Sequence, residues 1–370
     1  MFYLLIILLC LCVLWRLWSK KRSPSDPPEL SGKLPIVGHS YKLMGDGVSK
    51  YLFNCRECLQ KDGLITLYLG PHKVYGVADP ENGLSISNIC LQKPFLYNFT
   101  KSYFGAGLIT ADVKTWKRNR KLLNPAFNQQ VLDGFIAVFN TQAQRLVDQF
   151  AFEIGKPFDQ HRLLLLNSLE TICSTSLGVD SSKYSDLQQQ YLPHLTKLLE
   201  LVNERFQKFW LYPDFIFNLT PQKQTQHESL KHVLTLSKSV QQLFYLEKTI
   251  HFKSGKFKAF IDLILDLADD VDCFPDEQIR AEIDTIIGAG HDTTATLLTI
   301  ALSVLGSHTD VQEKAYNEIL QILGTEKENI EQEDLSKLVY IDAVLKETLR
   351  LYPIVPIIGR CIDKDINISK

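Results

Sequence analysis

The chain has 370 residues, with 40 Lys plus Arg against 42 Asp plus Glu, a net charge of -2, 45% hydrophobic residues and 22% charged ones. This composition excludes a disordered, collagen-like or polytopic membrane chain, and the balanced charge leaves no global footprint for nucleic acid. Eight cysteines without repeating pairs are too few for a disulfide framework.

Residues 1–18 are apolar apart from Arg16, and Lys20, Lys21 and Arg22 follow them. At 1.5 Å per residue the stretch spans about 27 Å, the thickness of a thin bilayer core, which predicts a transmembrane anchor over 1–18. No basic residue precedes the run and no small-x-small cleavage site follows it, so a cleaved signal peptide fits less well. The basic cluster after the segment predicts a cytoplasmic body, in which the sequons at Asn98, Asn218 and Asn367 escape glycosylation. Residues 19–38 form a basic and Pro-rich linker: Pro24, Pro27, Pro28 and Pro35 deny it helix and predict an extended arm. The body is 39–370.

In the body, 65–77 alternates β-branched and aromatic residues around Gly70-Pro71, a hairpin pattern. Cys55 and Cys58 form a lone C-x-x-C, whereas a closed zinc site needs four ligands. Apolar residues recur at helical spacing over 116–178, 182–209 and 222–252. Between the last two, Trp210 to Phe217 is rich in aromatics around Pro213, a loop that lies near membrane or substrate or packs into the core.

Pro275, Asp276 and Glu277 make a helix start, and a stop comes only near Gly306. Ile279, Ile283, Ile286, Ile287, Leu297 and Leu298 wrap this rod in apolar surface, predicting a buried central helix. Inside it sits Gly288-Ala289-Gly290-His291-Asp292-Thr293-Thr294. Two glycines each cost about 1 kcal/mol relative to alanine in a helix interior, and a buried acid costs more unless partnered. Small residues let a flat ligand approach the backbone, a threonine hydroxyl can bond one turn back, and an acid beside an alcohol can relay a proton. A kinked helix with a capped polar pocket explains the same letters. Further on, 336–352 is amphipathic and carries Glu347 and Arg350 three apart, able to form a bidentate pair.

Taken in order, the anchor, the arm with Leu34-Pro35-Ile36-Val37-Gly38-His39, Trp116-x-x-x-Arg120, Ala289-Gly290-His291-Asp292-Thr293-Thr294 and Lys346-Glu347-Thr348-Leu349-Arg350-Leu351-Tyr352-Pro353 resemble the microsomal cytochrome P-450 family, the haem-thiolate monooxygenases. The histidine in the long-helix motif looks most like the clan containing family 4, with many insect members. The resemblance implies a mainly α fold with a small β-sheet. It implies a haem cofactor, electrons from NADPH through a reductase, cytochrome b5 as a second candidate partner, a lipophilic small-molecule substrate, and residence on the endoplasmic reticulum membrane.

By the same resemblance, Trp116, Arg120 and Arg360 hold haem propionates, Ala289 and Gly290 give the macrocycle room, and Asp292 with Thr293 delivers protons. Glu347 and Arg350 are structural. Lys114, Lys117, Arg118 and Lys121 form a basic face that docks an acidic reductase or is merely solvated. Many family 4 members esterify the haem through a glutamate where this chain has Ala289, so its haem is expected to be non-covalent.

The family's cysteine loop comes well after the E-x-x-R helix, and the chain ends at Lys370. The expectation is therefore a partial cytochrome P-450 domain lacking that loop and the last helix. Its axial cysteine is absent, no residue serves as metal ligand, and its activity is in doubt. Cys361 has none of the glycines that let a backbone approach iron and is not a substitute. A buried Glu347–Arg350 pair without its third partner should also cost stability. Two rival readings are a metal-dependent hydrolase using His291 and Asp292, which lacks further ligands at suitable spacing, and a non-catalytic membrane-anchored fragment without haem.

Overall fold

The computed structural model describes residues 13, 26–43, 63–178, 185–250, 260–268, 274–325 and 329–366. The expected anchor, apart from Val13, the basic cluster at 20–22, Cys55, Cys58 and Asn367 lie outside these residues. No helix among the described residues is long and apolar enough to cross a membrane. The chain divides into two compact units, one of 1–99, 198–227 and 359–370, the other of 100–197 and 228–358.

In the first unit, strands β1 (Leu64–Leu69) and β2 (His72–Val77) pair antiparallel, with Leu64 opposite Val77 and Leu69 opposite His72. The tight turn is made by Gly70, whose φ of 57° favours a residue without a side chain. The expected extended arm is instead laid along β1 over 26–40. Thr66 N–H donates to the Pro28 carbonyl at 2.7 Å and Leu30 N–H to the Thr66 carbonyl at 2.9 Å. Prolines that exclude helix still leave their carbonyls free to accept from a strand edge. His39 locks this join: the Tyr68 N–H donates to its Nδ1 at 3.0 Å, which leaves Nε2 to donate to the Leu30 carbonyl at 2.7 Å. Burial lowers the pKa of His39, keeping it in that neutral tautomer. Helix α1 (Pro80–Ile89) follows, capped by the Asp79 side chain on Asn82 N–H.

The second unit is helical: α2 (Lys101–Phe104), α3 (Val113–Leu123), α4 (Ile136–Ala151), α5 (Gln160–Ser176), α6 (Ser185–Gln207), α7 (Pro221–Ile250), α8 (Phe260–Ala268), α9 (Asp276–Ser307), α10 (Thr309–Leu323) and α11 (Val339–Leu351). Helices α6 and α7 begin in one unit's residues and end in the other's. The apolar spacing over 116–178 resolves into separate helices, because Pro125, Gly134 and the Gly155-Lys156-Pro157 turn each stop one. Helix α9 is the 32-residue rod of the core, with Ile279, Ile283, Ile287 and Ala295 fully buried. Its most extensive neighbour is α5, which brings buried Leu164, Leu169 and Cys173 against it. A sizeable share of the hydrophobic stabilisation therefore sits on one helix pair.

Candidate functional site

The small-residue segment of α9 has three different surroundings. A methyl added at Gly288 would meet Phe104 Cε1 at 2.8 Å and Tyr103 Oη at 3.1 Å, and one added at Gly290 would meet Ile172 Cδ1 at 2.7 Å. Both glycines therefore let neighbouring elements close onto α9. The room expected at Gly290 for a cofactor is taken by Ile172 of α5. His291 is 1% exposed, and its Nδ1–H donates to the Ile287 carbonyl at 2.6 Å. Its ring stands edge-on to Tyr191 at 6.0 Å, and burial lowers its pKa, so it is a neutral packed residue. That placement removes it from any shared ligand set with Asp292. Among the described residues no group of three or more His, Cys, Asp or Glu converges to hold a metal ion.

Ala289, Asp292, Thr293 and Thr296 follow the i, i+3, i+4, i+7 spacing of a single stripe, and all four are partly exposed, at the point where α9 passes from a buried first half to a second half in which only Ala295 and Ala301 are buried. Thr293 Oγ1 donates to the Ala289 carbonyl at 2.8 Å. Such back-bonding loosens the helical ladder and leaves the hydroxyl lone pairs facing outward. Asp292 has no hydrogen-bond partner among the described residues. The stripe thus presents one unpartnered acid beside one alcohol over a residue with almost no side chain. Thr296, which the sequence reading passed over, extends it by a turn.

Helix α3 starts on Asp112, whose carboxylate accepts from the Lys114 and Thr115 N–H groups and is held below the usual carboxylate range by those bonds. Its inward side is Asn119 and Leu123, 0% and 1% exposed. Trp116 and Arg120, four apart, share another side. Trp116 is half-buried and Arg120 exposed, and neither the indole N–H nor the guanidinium has a partner among the described residues. A stacking ring with one donor beside an unpaired five-donor fork suits a carboxylate-bearing flat ligand. Lys114, Lys117, Arg118 and Lys121 are all exposed, so this end of the unit is strongly positive.

Arg350 forks onto Glu347, Nε to Oε2 at 2.7 Å and Nη2 to Oε1 at 2.6 Å. The arginine pulls the glutamate below its ordinary pKa. The side chains are 64% and 54% exposed, which corrects the expectation of a buried pair with an unmet partner. Water satisfies the remaining donors, and the penalty for burying charge does not arise. Arg360 belongs to the first unit, where its Nη1 donates to the Gly359 carbonyl at 2.8 Å. Next to it, the Cys361 N–H donates to the Gln92 carbonyl at 2.7 Å and the thiol to the Lys93 carbonyl at 3.6 Å. Burial raises the pKa of that thiol, and its backbone and sulfur are both engaged with the 92–93 segment.

The sequence reading also passed over two buried acids on α9, Glu282 and Asp284, 0% and 1% exposed. Their signal was available: an acid within an apolar stripe needs partners. Burial is the main influence on both and pushes their pKa values up, Asp284 to about 7.

The family model described as cytochrome P450 matches residues 27–370. The chain is 29% identical over 375 residues to the Homo sapiens protein described as cytochrome P450 4V2, covering 96% of this chain and 70% of that one. It is 28% identical to cytochrome P450 4c3 of Drosophila melanogaster, covering 90% and 70%. Among solved structures, the cytochrome P450DA heme domain superposes with a TM-score of 0.71 at 23% identity, over 89% of this chain and 70% of that one.

Proposed function

This chain belongs to the cytochrome P450 family, whose members are haem-dependent monooxygenases, and from that membership we propose that, where a thiolate holds the haem iron, it inserts one atom of dioxygen into a lipophilic small molecule. Electrons come from NADPH through an acidic reductase that docks on the basic face of α3, with cytochrome b5 as a further candidate donor. The protein is held at the endoplasmic reticulum membrane by its apolar first 18 residues. The observation that carries the reading is the Ala289–Asp292–Thr293 stripe: an acid and a back-bonded alcohol, both partly open, beside the buried first half of the long helix.

The residues present fit a haem on chemical grounds. Trp116 and Arg120 offer unpartnered donors for propionates, and Ala289 brings no carboxylate to form an ester. When bound, the haem supplies the redox chemistry that reduces dioxygen. The chain's own part is to bind and orient the propionates and to hold protons near the reacting oxygen. The Thr293 hydroxyl keeps one on the Ala289 carbonyl, and Asp292, half-exposed one residue away, can replenish it from water. Glu347 and Arg350 stiffen α11 from its surface.

The test is a hemin titration of the 370-residue chain followed in the Soret band, with Arg120→Ala and Trp116→Ala beside it. Saturable binding weakened on the order of tenfold in each variant is expected, the scale of one lost charge-assisted bond. No Soret response, or equal affinity in all three proteins, overturns the reading. Carbon monoxide added to the reduced complex reports whether sulfur is the axial ligand.

A further inference from the structure

Glu282 lies fully buried in the first half of α9, and its carboxylate accepts three hydrogen bonds from three different places. The Asn119 amide of α3 donates to Oε1 at 2.8 Å, the Gln278 amide to the same oxygen at 2.9 Å, and the Leu108 backbone N–H to Oε2 at 3.1 Å. Gln278 also donates to the Ala106 carbonyl at 3.0 Å, so the loop before α3 is held twice. The Asn119 carbonyl oxygen in turn accepts from Arg118 Nε at 3.0 Å.

A buried carboxylate without an ion pair is a costly way to fill space, since a leucine of similar size would pack there without desolvation. What the carboxylate provides and a leucine cannot is direction. At about 100° per residue, Asn119 stands about 60° around the helix from Trp116 and about 100° from Arg120. Once Asn119 is pinned inward, α3 cannot turn about its axis, and the sides that Trp116 and Arg120 present are determined. We infer that Glu282 is a positioning residue for the anion-binding pair Trp116 and Arg120, acting through Asn119. The inference rests on the proposed haem reading only in naming the anion as a propionate.

The test uses the full chain with Glu282→Gln, Asn119→Asp, the double variant and Arg120→Ala. Hydrogen exchange of 113–123 is measured without haem, and hemin affinity is measured well below every unfolding midpoint. Asn119→Asp sets two carboxylates face to face. Faster exchange in 113–123 is expected, with hemin binding weakened on the order of tenfold. Glu282→Gln gives a smaller loss. The double variant recovers part of both, because the glutamine amide can donate to the aspartate with the polarity reversed and Arg118 still has its acceptor, while Gln278 loses the oxygen it shared with Asn119. A residue that merely supports the fold would not show this recovery. Arg120→Ala weakens hemin binding without changing the exchange.

Unchanged exchange in either single variant, or a folded double variant that recovers neither readout, overturns the inference. If the wild-type chain gives no Soret response, it is the haem reading that fails. The exchange arm then decides the positioning role by itself, recovery in the double variant supporting it and no recovery refuting it. Should Asn119→Asp not fold, Glu282→Gln decides in the same way, by faster or unchanged exchange over 113–123.

Discussion

Thr293 turns its hydroxyl onto the Ala289 carbonyl at 2.8 Å, so its proton is held by its own helix while its lone pairs face the open stripe. A neutral back-bond of this kind contributes about 1 kcal/mol or less to folding. Thr293→Val keeps the shape and removes the alcohol. The unfolding midpoint should hardly move, whereas substrate turnover, read where a thiolate holds the haem iron, should fall on the order of a hundredfold, the usual worth of a positioned proton donor. Thr293→Ser should retain most of it. A valine variant that turns over at the wild-type rate would show that the stripe does not handle protons.

Asp284 gives a prediction for pH. Its Oδ2 accepts from Arg280 Nη1 at 2.7 Å, but Oδ1 has no partner, the nearby Ser237 hydroxyl falling outside hydrogen-bond geometry. Burial outweighs Arg280 and moves the carboxyl from its ordinary 3.8 up to about 7. The folded state therefore binds this proton more tightly than the unfolded chain. The resulting stability is complete below the unfolded value and is lost as pH rises to and through the folded one. A displacement of that size is worth about 4 kcal/mol. Urea midpoints measured between about pH 5 and pH 8 should fall for the wild type relative to Asp284→Asn. Parallel pH profiles would sink the idea. The comparison has to be made within the pair, because buried Glu282 titrates in the same sense and His291 in the opposite one.

Gly290 tests whether the helix pair is as tight as it looks. An alanine there gains about 1 kcal/mol of helix propensity but must displace Ile172 Cδ1 and Cγ1, at 2.7 and 2.8 Å, an overpacking cost of about 1–3 kcal/mol. Gly290→Ala should be net destabilising in thermal unfolding. Ile172→Ala, alone about 1–2 kcal/mol costly because the side chain is only partly buried, should be less so in combination with it. Strictly additive losses would mean that the two residues do not touch.

The same glycine shows where the letters stop being sufficient. The central helix is legible because Pro275 with two acids opens it and apolar spacing carries it, and it runs as expected to Ser307. The placing of an acid and an alcohol together on one stripe is legible too, since Asp292 and Thr293 follow Ala289 at helical spacing. Whether a small residue faces a ligand or a neighbouring helix depends on what arrives from elsewhere in the chain, and Ile172 arrives at Gly290. Two of the three partners of Glu282 come from α3 and the loop before it, distances no local pattern encodes. Exposure of Glu347 and Arg350 is likewise a tertiary property: the amphipathic pattern of α11 has the same period whichever side is covered. Over 116–178 the helical spacing is legible but the breaks between helices are not, because periodicity survives a turn that changes direction.

Arg205 offers a prediction confined to the first unit. It is 5% exposed, with its guanidinium carbon 4.0 Å from the centre of the Phe99 ring and 4.2 Å from that of Phe217. Its Nε donates to the Leu211 carbonyl at 2.8 Å, and its Nη2 to the Tyr212 carbonyl at 3.0 Å and to Asp214 at 2.6 Å. A planar fork can stack between two rings and serve three acceptors at once, and an ammonium cannot. Arg205→Lys should therefore cost about 3 kcal/mol despite keeping the charge, because it strands buried carbonyls. Asp214→Asn should cost little, since that carboxylate is 85% exposed and its ion pair is largely screened by water. Chemical unfolding of both variants reads the contrast, and a lysine that matched the wild type would show that charge alone, not the fork, holds this aromatic knot together.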